Sequence, residues 1–109
     1  MSLMTKQKAK INQSQKTYNR IAECYDQKDF GSVYKHTRHI YCKQITETIQ
    51  HDHPNILDLS VGTGNALDNL KKHYPKATFT GNDLSKNMLK KSQEKMQDAT
   101  YSTILDDVN

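Results

Sequence analysis

The sequence predicts an α/β fold: the N-terminal half of a doubly wound parallel sheet, three strands long, behind a helical arm. Three observations carry this. After Pro54, apolar runs of strand length alternate with polar stretches of helical spacing. "ILDLSVGTGNAL", Ile56 to Leu67, leads a strand through a glycine turn into a helix. Before Pro54, apolar residues recur at helical spacing on a polar background.

The elements follow in order. Met1, Ser2 and Leu3 read as a leader ahead of Met4 and are set aside. From about Thr5 to Gln27, Ile11, Tyr18, Ile21, Ala22 and Tyr25 form one apolar stripe. "DFGS" breaks it, and a second helix is expected from about Val33 to His51, with Val33, Thr37, Ile40, Tyr41, Ile45, Thr48 and Ile49 on one side. Pro54 cannot continue that helix and restricts His53 before it. Residues 4–53 therefore form the arm and 54–109 the sheet half. "NILDLS" is the first strand, "GNALDNLKKHY" a helix stopped by Pro75, and "ATFTGND" a second strand. "SKNMLKKSQEKMQ" is a helix with Ser85 as N-cap, and "TYSTIL" a third strand running into Asp106 and Asp107.

The totals narrow the function. At 109 residues the chain holds one small domain. No apolar run approaches the ~20 residues of a membrane span, and no signal-peptide pattern opens the chain, so a cytoplasmic location is expected. Cys24 and Cys42 lie far apart in no metal-ligand spacing and read as reduced, structural residues. The net charge of +4 owes much to Lys6, Lys8, Lys10 and Lys16. These alternate with Gln, Asn and Ser, which suits a solvated helix face better than a nucleic-acid footprint. His36, His39, His51, His53 and His73 have no carboxylate or cysteine set to complete a metal site, so no metal is assigned.

The chemistry lies in the glycine turn and its acids. Gly62 and Gly64 let backbone approach a ligand where the first strand meets its helix, whose N-terminus offers unpaired N–H groups. Two glycines alone are weak evidence. Asp83, at the end of the next strand and about 20 residues after Gly62, stands where a carboxylate accepts ribose hydroxyls in nucleoside-binding βαβ folds. A dinucleotide turn wants a small residue three positions after its second glycine, where this chain has Leu67. Asp58 would also repel a pyrophosphate and attract an aliphatic amine. S-adenosylmethionine has that amine, a ribose and no phosphate.

"ILDLSVGTGNAL" followed by "GNDLSKNMLKKSQEK" resembles the first two cofactor motifs of class I S-adenosylmethionine-dependent methyltransferases, which have a Rossmann-like fold. "YNRIAECYDQ" is similar to the start of the helical arm in their ubiquinone/menaquinone type. The resemblance implies that Asp58 lies near the methionine amine, that Gly62 and Gly64 pass beside the methionine and adenosine portions, and that Asp83 holds the ribose. It further implies Leu84 against the adenine, Asp106 or Asp107 facing the adenine amino group, and Tyr18 and Tyr25 as lid residues. Met88 and Leu89 are expected in helix core. Ser60 departs from the glycine that the family often has; it is small enough to hydrogen-bond the methionine carboxylate end, so altered contacts are expected.

In that family the sheet has seven strands, and the acceptor pocket comes from the fourth strand onward. The chain is thus expected to be the cofactor-binding half of a methyltransferase acting on a small-molecule acceptor, inactive alone and without an assigned catalytic residue. Two other readings stand beside it. One is an NAD-binding Rossmann fragment, disfavoured by Leu67 and Asp58. The other is a non-catalytic assembly module whose bare first-strand edge pairs with a second copy, giving a homo-oligomer.

Overall fold

The computed structural model describes residues 3–26 and 29–106. Met1, Ser2, Gln27 and Asp107 fall outside them, as does the side chain of Val33. The order is α1 (Leu3–Ile21), α2 (Asp29–Thr48), β1 (Asn55–Leu59), α3 (Asn65–His73), β2 (Thr78–Asp83), α4 (Lys86–Lys95) and β3 (Thr100–Leu105). The strands form one parallel sheet in the order β1-β2-β3. This is the predicted β-α-β-α-β half of a Rossmann-like sheet.

Register sorts the side chains onto two faces. Ile56, Phe79 and Tyr101 align across the sheet and face the core, followed by Asp58, Gly81 and Thr103. Phe79 is buried against Leu67 and Leu70 of α3 and Leu89 of α4, so both crossover helices cover this face. Leu57, Leu59 and Ile104 stand on the other face and are exposed, Leu59 at 69%. Among the described residues β1 pairs with β2 alone, leaving its second edge open.

Local chemistry explains the helix ends. Ser85 caps α4, its hydroxyl accepting from the Met88 N–H at 3.1 Å, as the sequence predicts. Tyr74 closes α3 and donates its hydroxyl to the Ile49 carbonyl at 2.7 Å, tying the end of α3 to the end of α2. Cys42 is buried between these helices as a free thiol, and Cys24 is also free.

The arm differs from its periodicity. α1 ends at Ile21, and residues 22–26 are a turn in place of further helix. The reason is tertiary: Asp26 is held by side chains of the glycine turn and of α4, which draws the chain off the helix axis. α2 begins at Asp29, so "DFGS" lies within it and not at a break. A glycine inside a helix costs about 1 kcal/mol, which a 20-residue helix absorbs. The exposed Ile40 and Tyr41 show that the packed stripe of α2 runs through Cys42, Ile45 and Ile49 instead. No helix among the described residues is long and apolar enough to cross a membrane.

Candidate functional site

The link from β1 to α3 is a chain of left-handed residues. Ser60, Gly62 and Gly64 have φ of 62°, 58° and 86°. β2 pins this turn from below: the Val61 N–H donates to the Asn82 carbonyl and the Gly62 N–H to Asp83 Oδ2, both at 2.8 Å. The two glycines serve different ends. A Cβ on Gly62 would meet nothing within 4 Å, so that position faces open space. A Cβ on Gly64 would stand 3.0 Å from the Ser92 side chain, so Gly64 is there to let α3 close on α4.

Above the turn lies a cleft of about 340 Å³ between sheet and arm. Its floor is Asp58, Ser60 and Gly62, and its wall is Tyr25 from the arm turn with Tyr34, Arg38 and Tyr41 of α2. Burial, and then the nearby Asp83 carboxylate, raise the Asp58 pKa above its usual value. Asp58 makes no ion pair among the described residues. Burial likewise raises the Tyr25 and Tyr41 phenols, which remain neutral donors and acceptors around the cleft. Asp83 takes one backbone N–H on each oxygen, from Gly62 at 2.8 Å and from Ser85 at 3.0 Å. A carboxylate has about four lone-pair sites, so each oxygen keeps one.

The sequence-predicted residues thus divide. Asp58, Ser60, Gly62 and Tyr25 share the cleft, and Asp83 abuts it through Gly62. Leu84 lines a separate groove against Asn12, Gln15 and Asn19 of α1. Asp106 is exposed at the end of β3, accepting from Asn82 Nδ2 at 2.7 Å. Tyr18 is 45% exposed on α1 and lies outside the cleft lining, and Gly64 is buried in packing.

Sequence reading missed the residues that hold the arm down. Asp26 accepts from Thr63 Oγ1 at 2.8 Å, from Asn65 Nδ2 at 3.0 Å and from Lys95 Nζ at 2.5 Å. Lys95 also donates to Thr63 and Asn65, closing a four-residue cluster across arm, turn and α4. Burial works against the Asp26 charge, but the hydrogen bonds from Lys95, Asn65 and Thr63 outweigh it and lower its pKa. Asn19 adds a second hold, accepting from Ser85 Oγ at 2.5 Å and from Asn87 Nδ2 through its carbonyl at 3.0 Å. The only local signal was the acid following Tyr25; the partners lie up to 69 residues away. Arg38 was missed as well. It lines the cleft, and its Nε is buried with no hydrogen-bond partner.

Comparison with known proteins converges on one family. Residues 56–109 match the family described as "Methyltransferase domain". Over 94 residues the chain is 31% identical to malonyl-[acyl-carrier protein] O-methyltransferase of Anoxybacillus flavithermus, covering 86% of this chain and 34% of that protein. The chain therefore spans about a third of the length of the curated relatives it matches. Among solved structures, the DhpI complex with S-adenosylhomocysteine superposes with a TM-score of 0.69 at 18% identity, covering 87% of this chain and 44% of that one. The plantazolicin methyltransferase BpumL gives 0.55 at 20% identity, covering 92% and 43%. At such identities the structures speak for the fold, and the family match and relatives for the lineage. Through residues 56–109, the chain belongs to the class I S-adenosylmethionine-dependent methyltransferases.

Proposed function

We propose that the cleft binds S-adenosylmethionine and that the chain forms the cofactor-binding face of a methyltransferase. The observation that supports this most is a charge without a partner: Asp58, half buried at the end of β1, lies near a second carboxylate and forms no ion pair among the described residues. An α-amino group answers that need and a pyrophosphate aggravates it. Asp83 offers its remaining lone pairs to the ribose hydroxyls. Leu84 and Asp106, beyond it, are assigned to the adenine face and amino group. Tyr25 covers the methionine end, and Ser60 meets its carboxylate side. Leu67 is fully buried in the core, so the helix seat that a dinucleotide needs small is filled.

Methyl transfer from a sulfonium needs the acceptor held in line with the departing bond, so positioning supplies much of the rate. None of the assigned residues holds an acceptor, and the chain alone is expected to bind cofactor without turnover. The relatives' names point to a malonyl group on acyl-carrier protein as the acceptor. Calorimetry with S-adenosylhomocysteine and with NAD, on wild type and Asp83→Asn, tests the cofactor reading. Heat with the first ligand alone, diminished in the variant, is expected; equal heats from both proteins would remove Asp83 from the ribose role.

A second reading concerns assembly. The open β1 edge and the exposed Leu57 and Leu59 favour pairing with a second copy of the chain. Light scattering is expected to show a dimer or larger species; a strict monomer at all concentrations would exclude it.

A further inference from the structure

The cofactor reading leaves one charged group of the cleft unexplained. Arg38 is always protonated, and a buried guanidinium N–H without an acceptor is a costly arrangement. Its Nε is such a group. Every ion pair among the described residues uses a lysine, so no carboxylate among them is paired with Arg38. Asp58 lines the same cleft, yet the charge that bears on it is Asp83. The cleft therefore holds an anion at its floor and a cation on its wall, each unpaired.

We infer that Arg38 anchors the carboxylate of the cofactor's methionine portion, so that Asp58 and Arg38 together read an α-amino acid zwitterion. This rests on the cofactor reading above. Opposite charges on separate elements fit a ligand carrying both signs, and an arginine presents the planar fork that binds a carboxylate in bidentate fashion. Tyr25 and Tyr41, whose phenols lie in the field of Arg38, complete a polar wall without competing as anions. The same chemistry could serve an acceptor's carboxylate, and the test separates the two sources.

Wild type, Arg38→Met and Arg38→Lys are titrated with S-adenosylhomocysteine, with 5′-methylthioadenosine, which lacks the amino acid end, and with malonate. Circular dichroism checks that each variant is folded. Arg38→Met is expected to weaken S-adenosylhomocysteine about 10- to 100-fold while leaving methylthioadenosine within about 2-fold, with Arg38→Lys in between. Equal losses for both nucleosides would make Arg38 a structural residue and overturn the inference. An unchanged S-adenosylhomocysteine affinity with loss of malonate binding would reassign it to the acceptor. If wild type binds neither nucleoside, the cofactor reading itself falls, and the anchor with it. If wild type binds both but Arg38→Met loses neither, only the anchor falls.

Discussion

Replacing Ser60 with glycine is expected to raise stability and lower cofactor affinity together. Ser60 sits at φ 62°, where an L-residue with a Cβ carries about 1–2 kcal/mol of steric cost. Glycine removes that cost but adds about 0.4–1 kcal/mol of unfolded-state entropy. The balance is about 0–1.6 kcal/mol, near 0.8 at mid-range, in favour of Ser60→Gly. For a domain of this size the mid-range value is an upward shift of about 3–6 °C in Tm, read by thermal unfolding without ligand. If the hydroxyl meets the methionine carboxylate end, its loss weakens binding by one hydrogen bond, about 0.5–1.5 kcal/mol or roughly 2- to 10-fold. Ser60→Ala separates the two effects. It keeps the Cβ and the strain, so its Tm should not rise, while its affinity falls as for glycine. A Ser60→Gly variant that melts lower than wild type would refute the strain argument. Unchanged affinity in both variants would refute the contact.

Three further expectations follow from the charges around the turn. Asp58 has a raised folded pKa, so its contribution to stability is full below its unfolded value near 3.8 and is lost as pH rises through the folded value. Asp58→Asn should therefore raise the ligand-free Tm at pH 7, the gain vanishing in acid, while cofactor binding weakens; a lower Tm at neutral pH would contradict the burial argument. Asp26 has the opposite sign: its lowered pKa gives stability above 3.8 that is lost as pH falls through the folded value. Asp26→Asn and Lys95→Met should each loosen the arm, seen as faster proteolysis near residues 22–26, and a double variant no worse than either single one would show that the two act as a pair. Asp83→Ala leaves the Gly62 and Ser85 N–H groups without their acceptor, at about 1–3 kcal/mol each if neither finds water. Its Tm should fall even without ligand, whereas Asp83→Asn, which keeps one acceptor, falls less.

The strands, the crossover helices and the Ser85 cap were legible because each is written locally, in period, length and capping residue. The placement of Asp58 and Asp83 around the glycine turn was legible for a related reason: their spacing about it is a sequence property. Asp26, Arg38 and Lys95 were not. Their partners come from other elements, and no periodicity announces an acid that leaves a helix to meet a turn 37 residues on. Tyr18 shows the converse. It belongs to an apolar stripe, yet α1 packs through asparagine, and the stripe residue stays half exposed.

That polar packing sets the thermodynamic character of the arm. No described residue of α1 is buried, and only Ala22, just past its end, enters the core region. Lifting α1 off α4 thus exposes little apolar surface of α1 itself, so α1's own share of the heat-capacity change and urea dependence of opening should be small. Salt should govern it instead, since ion pairs such as Lys91–Glu23 and Lys95–Asp26 are what part. The rate at which ligand enters and leaves the cleft would then rise with ionic strength, as the ion pairs that hold the arm are screened.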